Sequence, residues 1–107
     1  MRYVVDVTPK ATRQLDAARN WYWRQDRQIA DAWYLGFRAA ILSLEADPER
    51  HGQCRESHRL PGAFRELLYG SGRRKTHRAV FRIVGNRVEV VAIRHLAQRD
   101  LRSEDIQ

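Results

Sequence analysis

The sequence predicts an α+β fold in which an antiparallel two-helix hairpin packs on one face of a single sheet. Two patterns carry this prediction: apolar residues recur at helical spacing between positions 11 and 44, and they alternate with polar residues between positions 64 and 95. The predicted order is an N-terminal strand, two helices and a three-stranded antiparallel meander that completes the sheet. Because 107 residues support one modest core, we expect residues 1–107 to form a single domain.

The first strand and the first helix are predicted from the opening residues. Arg2–Val7 is short and rich in valine, which is typical of a strand. Thr8 then supplies an N-cap and Pro9 a first helical residue. Apolar residues follow at spacings of four, three and four, which predicts a helix to about Arg24. They are Ala11, Leu15, Ala18 and Tyr22.

A second helix is predicted after a brief connection at Asp26-Arg27-Gln28, and it ends at Asp47-Pro48. Its apolar stripe consists of Ala30, Trp33, Phe37, Ile41 and Leu44. So short a connection predicts that the two helices are antiparallel neighbours. Trp21 and Trp23 lie two residues apart on the first helix and cannot both face inward. One of them is therefore a candidate for a partner surface.

The last two strands are predicted as a tight hairpin. His77–Val84 alternates with a period of two, and Gly85-Asn86 fits a two-residue primed turn. The predicted pairs are Val84 with Arg87, Ile83 with Val88, Arg82 with Glu89, Phe81 with Val90, Val80 with Val91, Ala79 with Ala92 and Arg78 with Ile93. Arg82 and Glu89 have opposite charges, which supports this register. One face is then wholly apolar, and the other carries Arg78, Arg82, Glu89, Val91, Ile93 and His95.

The first meander strand is predicted at Phe64–Tyr69, with Tyr69 opposite Thr76. This register places Arg65, Leu67 and Tyr69 on the arginine face. It points Phe64, Glu66 and Leu68 toward the helices, where we expect Glu66 to pair with Arg94 or His77. The tail from Leu96 to Gln107 is predicted as either a short helix around Arg99–Glu104 or a disordered end.

The charge is concentrated in the second half of the chain. The protein carries +7 overall, and counting along the sequence gives seven basic and seven acidic residues up to Glu49, then thirteen basic and six acidic. This asymmetry predicts a polyanionic target, although an arginine-rich solvated face would look the same. The residues predicted to contact the target or a nucleic acid are Arg73, Arg74, Lys75, Arg82 and Arg99.

Other classes of protein are disfavoured by composition. No run reaches the roughly 18 apolar residues of a membrane span, and no leader pattern opens the chain, so we expect a cytoplasmic protein. Cys54 is the single cysteine, and four scattered histidines have no metal-ligand spacing, so neither a disulfide, a metal nor another cofactor is expected.

RNA cleavage through the 2′-hydroxyl would need cations for the phosphorane and groups that move protons. Arg78, Arg65 and Arg82 are candidates for the cations. His95 is the candidate acid or base, since the predicted register places it near Arg78, and Tyr69 is the second proton carrier. The alternative for His95 is a structural hydrogen bond at a strand end, and for the arginines a solvated sheet face.

The order of elements and several motifs resemble the RelE/ParE superfamily of toxins from bacterial type II toxin-antitoxin modules, of the plasmid stabilisation type. The resemblance covers almost the whole chain. Its most specific parts are FRELLYG (64–70), the basic loop, HRAVFRIVGNRVEV (77–90) and IRH (93–95), with support from TP (8–9). It implies a β-α-α-β-β-β fold and a growth-inhibiting toxin that a cognate antitoxin silences in a hetero-oligomer. We expect the antitoxin segment to combine acidic residues with apolar anchors at helical spacing.

Two branches of the superfamily imply different targets. The ribosome-dependent mRNA endonucleases use basic sheet residues, which Arg65 and Arg78 match, and a C-terminal Tyr or His. Position 67, basic in RelE, is Leu here, and no tyrosine follows His95. The gyrase-inhibiting branch lacks the catalytic set and binds DNA gyrase. These departures narrowly favour a ParE-like gyrase inhibitor, which is not an enzyme. The alternative is a RelE-like mRNA endoribonuclease, and a third reading is an inactive protein that only binds its antitoxin.

Overall fold

The computed structural model describes residues 2–70 and 72–107. Its helices and strands are β1 (Val4–Val7), α1 (Pro9–Gln25), α2 (Arg27–Leu42), β2 (Arg65–Tyr69), β3 (His77–Val84) and β4 (Arg87–His95). The strands form one sheet in the order β1-β4-β3-β2, with β1 parallel to β4 and the other neighbours antiparallel. The predicted α+β class and element order are therefore confirmed. In the part of the chain that the structure describes, no helix is long and apolar enough to cross a membrane.

The helix hairpin is tighter than predicted. Thr8 Oγ1 accepts the Ala11 N–H at 3.2 Å and caps α1. Asp26 alone connects the helices, because its Oδ1 accepts the N–H groups of Gln28 at 2.9 Å and Ile29 at 3.1 Å and so starts α2 at once. The predicted three-residue connection is therefore wrong at Arg27 and Gln28, which are helical.

The main core lies between this hairpin and the sheet. Every residue of the predicted α2 stripe is buried, as are Ala11 and Leu15 of α1. The sheet contributes Leu67, Ala79, Phe81, Val88, Val90 and Ile93. Trp33 belongs to this core, whereas Trp21 and Trp23 are 57% and 44% exposed. Both of the α1 tryptophans are therefore available at the surface.

A β-bulge in β4 divides the β3–β4 hairpin into two halves. From the Gly85-Asn86 turn to the Phe81–Val90 pair the predicted register is confirmed. Val80 then pairs with Ala92, which leaves Val91 as the extra residue. Beyond the bulge the predicted pairs are wrong by one residue, so Arg78 faces Arg94 rather than Ile93. The bulge turns Ile93 toward the helices and Ala92 away from them.

The predicted register of β2 is also wrong by one residue. Tyr69 faces His77 rather than Thr76, and Leu67 faces Ala79. The alternate residues Arg65, Leu67 and Tyr69 therefore share the helix side of the sheet and not the arginine side. Glu66, opposite Val80, lies on the side away from the helices.

That second side of the sheet is covered by a smaller core. Its buried residues are Cys54, Leu60, Phe64, Val80, Val91, Ala92 and Leu101. Two segments predicted as a loop and a polar tail supply three of them, Cys54, Leu60 and Leu101. The tail ends in a 3₁₀ helix at Ser103–Ile106, so the predicted helix around Arg99–Glu104 begins later than expected. Leu101 is 1% exposed and fixes the tail to the sheet.

Candidate functional site

Arg78, the first candidate for charge stabilisation in RNA cleavage, is completely buried. Its guanidinium makes a two-pronged ion pair with Glu56, which is also fully buried, and a 3.0 Å ion pair with Glu66. The expected Glu66 partners, Arg94 and His77, are therefore wrong, and Arg78 takes their place. A buried cation needs such compensation because its desolvation is unfavourable.

The tail closes over this ion pair. Glu56 Oε2 accepts the Leu101 N–H at 2.7 Å. Burial alone would raise the pKa of the Glu56 carboxyl, but the hydrogen bonds from Arg78 and Leu101 lower it to about 2. Arg55 holds the start of the tail by donating to the carbonyls of Leu96 at 3.0 Å and Gln98 at 2.6 Å. Arg78 is thus an interior anchor, with no access for a phosphate.

Arg65 and Tyr69 also serve the fold. Arg65 Nη1 donates to the carbonyl oxygens of His51 at 2.6 Å and Glu49 at 3.2 Å, which ties the loop before β2 to the sheet. Tyr69 stacks on Phe37 with ring centroids 4.7 Å apart and planes 6° apart, and burial raises its pKa. A Cβ at Gly36 would lie 2.1 Å from the Tyr69 hydroxyl, so the glycine is what lets the ring lie there.

His95 lies on the opposite side of the sheet from Arg78. The expectation that these residues are close is wrong, because the bulge at Val91 turns His95 to the helix side, where it faces His77 with centroids 4.9 Å apart. The Ala97 N–H donates to His95 Nδ1 at 2.9 Å, so the proton of the neutral His95 ring is on Nε2. Burial, and then repulsion from His95, lower the pKa of His77 to about 4.

The five predicted target-binding residues divide into two groups. Arg73, Arg74 and Lys75 are exposed in the β2–β3 loop and form no ion pair within the described residues. Arg82 pairs with Glu89 at 2.8 Å, as predicted, and Arg99 donates to both carboxylate oxygens of Asp105. The loop cations are therefore the basic residues of this set that are free to contact a partner.

A groove of about 650 Å³ lies between α1 and the C-terminal half of β4. Its lining residues are Gln14, Ala17, Ala18, Trp21, Tyr22, His77, Ile93, Arg94, His95 and Gln98. Aromatic and small apolar side chains form most of the wall, and no carboxylate belongs to it. The groove brings His95 together with Trp21, which the sequence had singled out for separate reasons.

The outer side of α2 carries an apolar stripe that sequence reasoning missed. Its members are Ile29, Ala32, Leu35, Ala39 and Leu42, all of them exposed. Their spacings of three, three, four and three place them on one side of the helix. The signal was present in the sequence, because α2 has apolar residues at two sets of helical positions, of which only the inward set was considered.

The candidate catalytic residues lie apart in the described part of the chain. Arg78 is sealed in the second core, while His95 and Tyr69 lie on the helix side of the sheet. Within residues 2–70 and 72–107, no three His, Cys, Asp or Glu side chains are placed to hold a metal ion. The described part of the chain also presents three surface features: the basic loop, the groove and the α2 stripe.

Comparison with known proteins identifies the class first. A solved structure, the chromosomal ParDE TA system from P. aeruginosa, superposes with a TM-score of 0.70 at 22% identity, covering 88% of this chain and 96% of that one. The two proteins therefore share the same fold. The model of the family described as "ParE toxin of type II toxin-antitoxin system, parDE" matches residues 5–100. The chain belongs to this ParE toxin family. No curated protein sequence matches the chain.

Proposed function

We propose that this ParE-family toxin arrests growth by binding DNA gyrase in the cytoplasm, and that it does not cleave mRNA. The observation that carries the proposal is the burial of Arg78 between Glu56 and Glu66. A group that stabilises the charge of a phosphorane must touch it, and must gain its interaction in the transition state. Arg78 has no exposed surface, and its charge is already neutralised by two carboxylates.

The separation of the remaining candidates supports the same proposal. Acid-base cleavage needs a proton carrier within hydrogen-bond reach of the reacting oxygen, beside the cations that hold the phosphate. His95 is turned away from Arg78 by the bulge, and Tyr69 is stacked on Phe37 under α2. An inhibitor that acts by binding has no need of such an arrangement.

The target contacts are assigned to the β2–β3 loop. Arg73, Arg74 and Lys75 are exposed cations without carboxylate partners among the described residues, and they lie in the loop that joins β2 to β3. Such a cluster raises the association rate with an acidic surface and fixes its orientation. Membership of the ParE family supports the gyrase-binding branch, and we therefore propose this loop as the gyrase contact.

We propose that a helix of the antitoxin packs on the outer stripe of α2. Ile29, Leu35 and Leu42 are 60%, 61% and 48% exposed, and the alanines between them let a second helix approach closely. Arg27 and Arg38 flank the stripe, and neither forms an ion pair in the described part of the chain, whereas Asp31 is paired with Arg19 at 2.8 Å. An amphipathic helix with acidic flanks complements this surface. A second copy of this chain would oppose like charges.

The experiment that tests the function follows the two targets in one culture. The toxin is expressed in bacteria from a tightly controlled promoter, and the topology of a reporter plasmid and the 5′ ends of cellular mRNAs are followed as growth stops. Relaxed plasmid with intact mRNA is the expected result. New mRNA ends within codons, with normally supercoiled plasmid, would overturn the proposal in favour of the endonuclease.

A further inference from the structure

One end of the molecule carries the α1–α2 connection and the β2–β3 loop together. β3 begins at His77, whose ring centroid lies 4.9 Å from that of Trp33 on α2 and 6.0 Å from that of Tyr22 on α1. The β2–β3 loop leads directly into His77, and both aromatic residues lie within about two helical turns of the Asp26 connection. The loop and the connection are therefore neighbours at this end.

The exposed cations at this end are not neutralised by carboxylates. Arg27, Arg73, Arg74 and Lys75 form no ion pair among the described residues. The Asp26 carboxylate at the connection already caps α2 through its Oδ1. Toward the other end, near the β3–β4 turn, exposed arginines are paired: Arg2 with Glu45, Arg82 with Glu89 and Arg87 with Asp6. Unpaired positive charge of this kind is the electrostatic signature of a site for a polyanion.

An exposed tryptophan stacked with an arginine lies beside these cations. Trp23 is 44% exposed, and the Arg27 guanidinium carbon lies 4.3 Å from its ring centroid. An unpaired base can stack on an aromatic ring or on a guanidinium plane, and such a contact changes affinity by about tenfold or more. An acidic protein surface would need only the charges. A flat ring, a planar cation and further loop cations together are typical of surfaces that bind single-stranded nucleic acid.

We infer that this end of the toxin binds DNA that has unpaired bases. One base stacks on the pair of Trp23 and Arg27, and the neighbouring phosphates contact Arg73, Arg74 and Lys75. The inference rests on the proposed function, because gyrase brings DNA to a toxin that is bound to it. Duplex DNA offers the same phosphates but keeps its bases stacked on one another, so it lacks the contact with Trp23.

The test measures the binding of toxin alone to a fluorescently labelled DNA strand of about 16 nucleotides, by fluorescence anisotropy. Trp23→Ala is expected to weaken binding of the single strand about tenfold and binding of the matching duplex less than about twofold, whereas Trp23→Phe keeps most of the affinity. The control is Trp21→Ala, which removes an exposed tryptophan of the same helix whose ring meets Tyr22 edge-on. It should bind like the wild type. Circular dichroism verifies that each variant is folded.

The loop cations are tested through the salt dependence of the same binding. Each phosphate contact on a single strand adds about 0.7 to the slope of log affinity against log salt concentration. Replacing Arg73, Arg74 and Lys75 with serine should therefore lower this slope by about 2. An unchanged slope would show that these residues do not contact the phosphates, and would overturn the inference.

Two competitors and an RNA strand separate DNA binding from other modes of contact. Unlabelled DNA strand should displace the labelled strand more readily than polyglutamate of the same charge. Equal displacement, or equal binding by the Trp21→Ala and Trp23→Ala variants, would show that the surface recognises charge alone and would overturn the inference. RNA of the same sequence is expected to bind no more tightly than DNA, and tighter binding of the RNA would also overturn it.

Supercoiling assays with gyrase distinguish this inference from the proposed function. Trp23→Ala should inhibit gyrase less than the wild type does, and Trp21→Ala as much as the wild type does. If the wild type inhibits gyrase but does not bind the single strand, or if both variants inhibit equally, the inference is overturned and the proposed function stands. If the wild type binds the strand but does not inhibit gyrase, the proposed function fails, and the assignment to gyrase-bound DNA fails with it.

Discussion

Glu56 holds Arg78 with both of its carboxylate oxygens, and neither side chain has any exposed surface. The same carboxylate accepts the Leu101 N–H, so one residue joins the sheet, the loop before β2 and the C-terminal tail. This relationship gives a structural role to Arg78, which the sequence had indicated as a candidate for charge stabilisation in RNA cleavage.

Glu56→Gln is expected to destabilise the protein by roughly 3 kcal/mol or more, because the buried Arg78 guanidinium loses the negative charge that compensates it. Glu66 compensates only in part, since its side chain is 18% exposed. Denaturant unfolding measures the effect. The control is Glu89→Gln, which removes a carboxylate from the exposed pair with Arg82 and should change stability by less than about 1 kcal/mol. Equal effects of the two variants would contradict the structural role.

His77 should make stability fall as the pH is lowered from 6.5 toward about 4. The unfolded chain binds a proton on this ring below pH 6.5, whereas the folded protein resists protonation until about pH 4. The unfolded state therefore binds more protons across this window, and the loss amounts to roughly 3 kcal/mol.

The measurement is denaturant unfolding at several pH values between 4 and 7 for the wild type and for His77→Phe. Phenylalanine keeps an aromatic ring beside Trp33 and Phe37 and cannot be protonated. We expect the free energy of unfolding of the His77→Phe variant to fall much less over this pH range than that of the wild type. The control His58→Gln, at an exposed position, should show the same fall as the wild type. A variant that declines as steeply as the wild type would show that His77 is not the cause.

Leu35→Arg should leave the toxin folded and weaken its binding to the antitoxin. The residue is 61% exposed at the middle of the α2 stripe, so the unbound protein loses little, but the partner helix loses an apolar contact. Isothermal titration is expected to give a loss of tenfold or more. Arg38→Gln, a neighbouring change at the edge of the stripe, should have a smaller effect that depends on salt. If the Leu35→Arg variant binds the antitoxin with unaltered affinity, the α2 stripe is not part of the interface.

Replacing Arg73, Arg74 and Lys75 together with serine is expected to reduce gyrase binding strongly and to flatten its dependence on salt. All three are exposed, so the free energy of unfolding should stay within about 0.5 kcal/mol of the wild type. The matched control replaces three other exposed cations, Arg13, Arg24 and Arg50. Equal losses from both triple variants would mean that overall charge, rather than the loop, governs binding.

The helices and the turn of the β3–β4 hairpin were predictable because local sequence encodes them. Thr8-Pro9 marks a helix start, the α2 stripe marks a buried side, and Gly85, with a φ of 59°, suits the tight turn. The ion pair of Arg82 with Glu89 follows from that turn. These features depend on residues that are close in sequence.

The bulge at Val91 could not be predicted, because a single extra residue leaves no mark in an apolar run such as Val90 to Ile93. The bulge has a large consequence. It places His95 on the other side of the sheet from Arg78, so the two residues do not form the expected site. The second core could not be predicted from the sequence for another reason. Leu60 and Leu101 are isolated apolar residues in polar segments, and Glu56 becomes the partner of Arg78 only through the fold.

The proposed inhibition of gyrase by direct binding can be tested with purified components. The most direct measurement titrates purified toxin against a fixed concentration of gyrase, follows supercoiling of relaxed plasmid, and exposes translating ribosomes to the same toxin concentrations. We predict that supercoiling falls until toxin and gyrase reach comparable amounts, while ribosome-bound mRNA stays intact. Undiminished supercoiling, together with mRNA cut by toxin present at far fewer copies than ribosomes, would contradict the account.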